Sequence, residues 1–490
     1  MNETGQILTV STTLVRPTAS GPELFWARRC PDRAFLGGFH AFFAGSIETH
    51  DADIESAALR ECFEECGLLL SEGGLRRVPF EARSPKVFAD ACPTLAYSRL
   101  QPLGVWTTPK WLTPSFCTSF FGVLLTEEEG SRLDDLSEGL DGREFDDGWW
   151  VSPSTALRQW WTGRAFATTP IRLIIESLKD APDRSKSLPK PKRLGTSPAN
   201  PGTSQSSQIC GGIVLIPLET LTLPPATHTN TIVAGHERFI IIDPGAPDEK
   251  RLEPLLNHLD DRRRRGHQCV GVALTHHHRD HTGGLEVLSH HLDAPLYAHP
   301  ETLKRLGEPP LNPTPITEGQ HIDIDHPGPL RAVFTPGHAP GHLAFFQGDT
   351  KLLFAGDLMA SYGTIIIDPP DGNMGDYLRS LRRIRKLAPR SILCAHGPLV
   401  TAPRKLIDRY LEHRQMREQK VLTALRETGP ARATDLVAQV YAEAPRAVWP
   451  LAERSLLSHL QHLVEQDLAR YEDDAFIAQP VRPGVSHDDR

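Results

Sequence analysis

The sequence predicts a multidomain chain of α/β and α+β class, on three observations. Its 490 residues are too many for one hydrophobic core. Residues 181–208, APDRSKSLPKPKRLGTSPANPGTSQSSQ, are rich in Pro, Ser, Gly and Lys and nearly free of large apolar groups. After them, short apolar strands closed by turns give way near residue 405 to helical periodicity. The expected order is a domain over 1–180, a flexible linker over 181–208, a second domain over 209–405, a winged-helix-like module over 406–480 and a tail over 481–490.

Composition narrows the function classes. The chain is 39% hydrophobic and 23% charged, ordinary for a globular protein, and its formal charge of −8 offers no overall attraction to nucleic acid. No run of 18 apolar residues is present, so no membrane span is expected. The first residues, MNETGQILTVSTTLVRP, lack a basic region followed by an apolar one, so no signal peptide is expected. The eight cysteines form no CxxC pair, and a reducing cytoplasm is the expected compartment.

In the first domain, residues 60–68 read RECFEECGL. Leu59, Cys62, Phe63 and Cys66 fall at i, i+3, i+4, i+7 and predict the apolar face of a helix that Gly67 ends. Glu61, Glu64 and Glu65 share a different face, and Arg60 can pair with Glu64 one turn on. Three close carboxylates repel unless a hard cation compensates, and Mg²⁺ or Mn²⁺ is expected. A charged surface helix would show the same spacing.

The linker cannot bury enough surface to offset its ordering entropy. Lys186, Lys190, Lys192 and Arg193 give it a basic patch that could touch RNA, although a solvated tether is the commoner role.

In the second domain, IVLIPL (213–218), NTIVAGHERFIIIDPG (230–245) and VGVALT (270–275) read as strands and turns. The last runs into THHHRDHTGG (275–284). Alternation along the chain lets His276 and His278 share one metal, while Asp280 and His281 turn toward a second. His277 points the other way. FTPGHAPGH (334–342) offers His338, LLFAGDLM (352–359) offers Asp357 and ILCAHGP (392–398) offers His396. With these seven places filled, His342 reads as structural or substrate-facing. His290, His291 and His299 read as structural or surface groups, and Arg262–Arg265 as cations at a helix end.

In the tail, KLIDRYLEHRQMREQKVLTALRET, ATDLVAQVYAEA and LAERSLLSHLQHLVEQD read as three helices, followed by a DLARYEDDAFI hairpin.

Two resemblances attach to these motifs. The HxHxDH pattern with ordered GH, GD and HG segments, over residues 209–405, resembles the metallo-β-lactamase superfamily. It implies an αββα sandwich and two Zn²⁺. His276, His278 and His338 would hold one ion; Asp280, His281 and His396 the other. Asp357 would bridge, Asp280 would also count as catalytic, and Asp243 would support the ligands. Zinc-bound water has a pKa of about 7, so such a site can attack a carbonyl carbon or a phosphorus.

The stretch from GDLMASYGTIIIDPP to the tail, with His413, Arg414, Arg417 and Glu418, resembles the beta-lactamase-like protein 2 branch and implies phosphodiester hydrolysis on single-stranded RNA. Glyoxalase-II-like thioester hydrolysis is the alternative.

The RECFEECGL stretch, TPKWLTPSFCTSFFGVLL (108–125) and WWVSPSTALRQWWTGRAFATTPIRLIIESL (149–178) resemble the Nudix hydrolases, over about residues 8–180. That resemblance implies an α/β/α sandwich that hydrolyses a nucleotide- or CoA-type diphosphate, with Glu61, Glu64 and Glu65 as metal-binding and catalytic groups. The family's upstream Gly and Glu positions are Ser46 and Ala52 here. A domain that only binds a regulatory nucleotide or CoA ligand is the alternative.

Overall fold

The computed structural model describes residues 5–33, 35–91, 94–108, 114–179, 187–197 and 199–480. Within 108–125, residues 109–113 lie outside the described residues, as do the first part of the linker, 181–186, and the tail 481–490. The chain forms two compact units, Met1–Ile216 and Pro217–Arg490. No helix among the described residues is long and apolar enough to cross a membrane.

The first unit is built on a seven-stranded mixed sheet in which Ile7–Thr18 runs parallel to Phe116–Leu124 and antiparallel to Gly21–Arg29. Alternation along these strands feeds two cores. Val10, Leu14, Phe25 and Ala27 meet the helix Ile54–Cys66 through Leu59, Cys62, Phe63 and Cys66. Val15, Leu24 and Trp26 meet the helices Pro153–Trp161 and Thr169–Lys179 through Trp160, Ile171 and Ile174. The result is a helix–sheet–helix layering. Asp53 caps the first helix by accepting from the Ser56 amide, and Gly67 ends it at φ 78°.

The linker differs from the solvated tether expected. Its described residues are fastened to the strand Leu100–Thr107. Gly195 and Gly202 exchange backbone hydrogen bonds with Val105 and Thr107, and Leu188 and Leu194 are buried. The two leucines supply the apolar anchor that the polar composition hides, and two glycines let the backbones approach. A Cβ on Gly195 would lie 2.1 Å from the Asn200 carbonyl oxygen.

In the second unit, strands His228–Gly235, Arg238–Ile242, Gln268–Ala273, Pro295–Ala298 and Asn312–Pro315 form one sheet, parallel from Arg238–Ile242 onward. His321–Ile322, Leu330–Phe334, Leu343–Gln347, Leu352–Gly356 and Ser391–Cys394 form another. The amphipathic helix Met374–Leu387 covers the second sheet through Tyr377, Leu381 and Ile384. Arg262 to Arg264 do lie in the last turn of the helix Glu249–Arg264.

The three tail helices are Pro403–Thr428, Ala433–Val440 and Trp449–Glu465, and the hairpin pairs Ala469–Glu472 with Ala475–Ala478. The boundary expected at 405/406 falls inside the first of these helices. Its early turns, Leu406, Ile407 and Tyr410, pack in the core of the second sheet. Its late turns, Val421, Leu422 and Leu425, pack in the core of the winged-helix module. One helix serves two cores, so the module cannot be cut away at residue 405 without baring apolar surface.

Between those turns sits a buried polar layer. Glu418 accepts from His462 Nδ1 at 2.6 Å, with His459 Nδ1 at 3.5 Å. Burial alone would push this carboxyl up, but the two histidines outweigh it and hold it at about 2. A pKa depressed on folding stabilises above the unfolded value of about 4.3, and that stability is lost as pH falls toward 2. Glu418→Gln should therefore cost about 1.5–3 kcal/mol near neutral pH. In denaturant titrations against the parent chain, the gap should narrow steadily below about pH 4.5; a gap independent of pH would refute it.

Candidate metal centre

Each candidate ligand of the second unit stands just beyond the end of a strand. His276 and His278 follow Gln268–Ala273, His338 follows Leu330–Phe334, Asp357 follows Leu352–Gly356 and His396 follows Ser391–Cys394. His278 is the N-cap of the short helix Arg279–Thr282, which turns Asp280 and His281 away from the strand direction. Gly245 makes room for that turn. A Cβ there would sit 1.7 Å from the Asp280 carbonyl oxygen.

The seven residues gather into linked groups. His276 Nε2 and His338 Nε2 each lie 3.0 Å from His278 Nδ1. A tetrahedral zinc with bonds of about 2.0–2.1 Å sets its nitrogens about 3.3 Å apart, close to this spacing. Asp280, His281 and His396 form a second group. Asp357 stands between them. Its Oδ1 is 3.5 Å from His281 Nε2 and 3.3 Å from His396 Nε2, and its Oδ2 is 3.6 Å from His338 Nε2. That is the arrangement of a bridging carboxylate.

Burial tests the fit to metal. His281 Nε2, His396 Nε2 and Asp357 Oδ1 are buried and lack hydrogen-bond partners, a costly state unless a cation receives them. Burial and the neighbouring rings hold His276 well below its usual pKa, and hold His278 at about 3. Burial also lowers His338. Burial thus disfavours a proton on these imidazoles, as metal ligation requires. Burial opposes charge on His281 and His396 too, but Asp357, with Asp280 and Asp243 beside His281, raises them both. The residues fit two zinc ions, which when bound would supply Lewis acidity and a water that ionises near neutral pH.

Supporting contacts fix which nitrogen faces the centre. Asp243 Oδ2 is 2.9 Å from His281 Nδ1 and accepts from the Thr275 hydroxyl at 2.7 Å. Its Oδ1 accepts from the Thr275 amide at 2.8 Å. Asp243 does this from φ 52°, a left-handed conformation that aspartate tolerates better than most residues. His338 Nδ1 donates to the Ile366 carbonyl at 2.9 Å, and His396 Nδ1 to the His228 carbonyl at 3.0 Å. His342 is a support: its Nε2 accepts from the Asp357 amide at 3.1 Å.

His277 is turned out of the centre. Its Nε2 is 3.0 Å from Asp371 Oδ2, and Asp371 also receives Arg305 at 3.3 Å. With His278 these groups also lie close enough to hold a metal. His290 is exposed, whereas His299 caps the helix Pro300–Leu306 and stacks on Phe334. Thr275 and Asp371 were not singled out by the sequence; Thr275 opens the histidine run, but nothing marks its hydroxyl as a donor to Asp243.

The glutamates of the first unit are arranged differently. Arg60 is buried and forms a two-pronged contact with Asp51, at 2.8 and 3.0 Å. It also donates to Glu61 at 2.8 Å, to the Ser46 carbonyl at 2.8 Å and to Glu64 at 3.3 Å. Burial raises Glu61 to about 7 and Glu65 well above the usual carboxyl range. Glu65 accepts from the Ala44 amide at 2.8 Å, and Glu64 faces solvent. Gly45 is packed against Glu61; a Cβ there would lie 2.1 Å from its carboxylate.

Gly45 and Asp51 each stand one residue before the positions expected for the upstream Gly and acid, Ser46 and Ala52. Among the described residues, no three of these carboxylates bring an oxygen each within 4.8 Å of one another. The donor type suits a hard cation, but the three glutamates do not converge as their spacing predicts, because Arg60 draws Glu61 and Glu64 while Ala44 holds Glu65.

Residues 224–396 match the Metallo-beta-lactamase superfamily, and residues 433–478 match the Beta-lactamase associated winged helix domain. The chain is similar to the Beta-lactamase-like protein 2 homolog of Drosophila melanogaster, 28% identical over 52% of this chain and 89% of that protein. It is similar to the Lactamase-like protein adaB of Aspergillus niger, 32% identical over 42% of this chain and 61% of that protein. It is also similar to the Atrochrysone carboxyl ACP thioesterase of Passalora fulva, 29% identical over 53% of this chain and 74% of that protein. A solved beta-lactamase domain protein from Burkholderia ambifaria is 21% identical, covering 56% of this chain and 93% of its own, with a TM-score of 0.49. The second unit is thus a metallo-β-lactamase-fold hydrolase with a C-terminal winged-helix domain.

Asp243→Ala should weaken metal binding about 10–100-fold, the usual cost of losing a carboxylate behind a ligating histidine. Competition with a chromophoric chelator measures this. His277→Ala should change the same constant less than about 2-fold, and an equal loss in both variants would contradict the assignment.

Proposed function

We propose that the second unit is a dizinc hydrolase of phosphodiesters, of single-stranded RNA type. The observation that carries the metal-dependent chemistry is Asp357, with one oxygen toward each histidine group. Two zinc ions held there would stabilise negative charge on the non-bridging oxygens of an attacked phosphodiester and on its leaving oxygen. The RNA-type substrate is implied by the branch resemblance read in the sequence, and similarity to a Beta-lactamase-like protein 2 homolog over 89% of its length supports that branch. A reducing cytoplasm suits the thiols, which are free among the described cysteines.

A thioester reading has its own observation. Tyr362 is exposed, and its ring packs on Gly397, next to His396. An exposed aromatic ring there suits an acyl chain, and one relative is named a thioesterase. A panel of single-stranded RNA, a nitrophenyl phosphodiester, an acyl-CoA and an acyl-glutathione discriminates the two. Chelator-sensitive cleavage of the first two is expected, and turnover of thioesters alone would overturn the phosphodiester reading.

For the first unit, we propose a Nudix-type diphosphatase acting on a nucleotide- or CoA-type diphosphate. The RECFEECGL stretch and its resemblance to the Nudix motif support it. Mg²⁺- or Mn²⁺-dependent hydrolysis should fall at least about 100-fold in Glu64→Gln, in line with losing a group that holds metal or moves a proton. Binding of the same ligand by calorimetry, without turnover in the parent chain, would instead mark a regulatory binding domain.

A further inference from the structure

The helix Pro403–Thr428 leads into the winged-helix module, yet four of its hydrogen bonds reach back to the loop that follows Asp357. Tyr410 Oη accepts from the Ala360 amide at 2.9 Å and donates to the Ala360 carbonyl at 3.2 Å, three residues beyond Asp357. Arg414 donates to the Thr364 hydroxyl at 3.0 Å and to the Ile365 carbonyl. The next carbonyl along, Ile366, receives His338 Nδ1. Arg414 is itself buried, with its guanidinium over the Tyr377 ring at 5.3 Å.

We propose that Arg414 is a positioning residue of the metal centre, acting through the Thr364–Ile366 backbone to keep His338 Nε2 aimed at the metal. The physical requirement is specific. An imidazole binds through Nε2 only while Nδ1 keeps its proton, and the acceptor of that proton fixes the ring's rotation. Here the acceptor is a backbone carbonyl in a loop outside the sheets, so it needs its own anchor. Arg414 supplies one: its Nη2 donates to a hydroxyl and a carbonyl together, and the flat guanidinium is held over the Tyr377 ring, a stacking that lysine's ammonium does not reproduce.

Arg417, one turn on, is the natural comparison. It is also buried on the same helix and stacked on a tyrosine, Tyr441, at 4.1 Å. Its bonds go the other way, to the Val440 carbonyl at 2.6 Å and Glu443 at 2.8 Å inside the winged-helix module. Both arginines contribute to folding; Arg414 alone touches the loop behind His338.

The inference rests on the dizinc reading, and full-length chains test the two separately. Zinc stoichiometry and affinity of the parent, Arg414→Ala, Arg414→Lys and Arg417→Ala are measured by chelator competition. The cobalt(II) absorption of each and the thermal midpoint of each apoprotein are recorded alongside. Arg414→Ala should weaken one zinc about 10-fold and alter the cobalt spectrum. Arg414→Lys should recover part of the midpoint but little of the affinity. Arg417→Ala should lower the midpoint while leaving affinity and spectrum as in the parent. Equal affinities for the two alanine variants would overturn the role of Arg414. A parent chain that binds no zinc would overturn the dizinc reading and this inference with it.

Discussion

The second unit depends on one buried carboxylate facing two ways. Asp357 has imidazole nitrogens within 3.6 Å of both oxygens. Burial alone would drive this carboxyl toward its neutral form, but His396 and His281 outweigh it and hold it well below the ordinary range. A negative charge in that position is sustained only by positive charge beside it, from protonated histidines or from metal. The surrounding architecture keeps that relation intact: strands of both sheets end at the ligands, and the residues behind them fix the rings.

Much of the centre was legible because its ligands are residue types with few other reasons to recur in order at strand ends. Spacing and the strands before them marked His276, His278, Asp280, His281, His338, Asp357 and His396 as candidates, whereas Asp243 was marked only by the family resemblance. Thr275 could not be, since a threonine at a strand end says nothing about where its hydroxyl points. The helix Ile54–Cys66 was legible for the same reason as the strands: one apolar period and a terminal glycine. What spacing could not reveal was rotation of side chains by a neighbour. Arg60 draws two glutamates toward itself and Asp51, so residues on one helical face need not present their oxygens together.

The linker and the tail boundary failed for a common physical reason. Composition measures the average burial a segment can offer, whereas two leucines and two close-approach glycines suffice to pin a polar stretch to a strand edge. Helical periodicity likewise reports that Pro403–Thr428 is continuous, but not that its two halves bury into different cores. A long amphipathic helix is a rigid connector, so the winged-helix module and the metal-bearing sheet share one element rather than a flexible joint.

His342 shows how far such support extends from a ligand. Its Nε2 accepts the Asp357 amide proton and its Nδ1 lies 2.8 Å from the Thr335 hydroxyl. Accepting at Nε2 requires a neutral ring, and burial holds His342 at about 3, so that state persists across the physiological range. A protonated ring would set N–H against N–H and push the Asp357 backbone away. The ring is also wedged beside Gly356, where a Cβ would lie 2.8 Å from Nε2 and where φ of 51° favours glycine. The glycine before Asp357 and the second histidine of GHAPGH are therefore one device. The glycine lets the imidazole approach, the imidazole fixes the aspartate's backbone, and the backbone decides that each carboxylate oxygen faces a different histidine group.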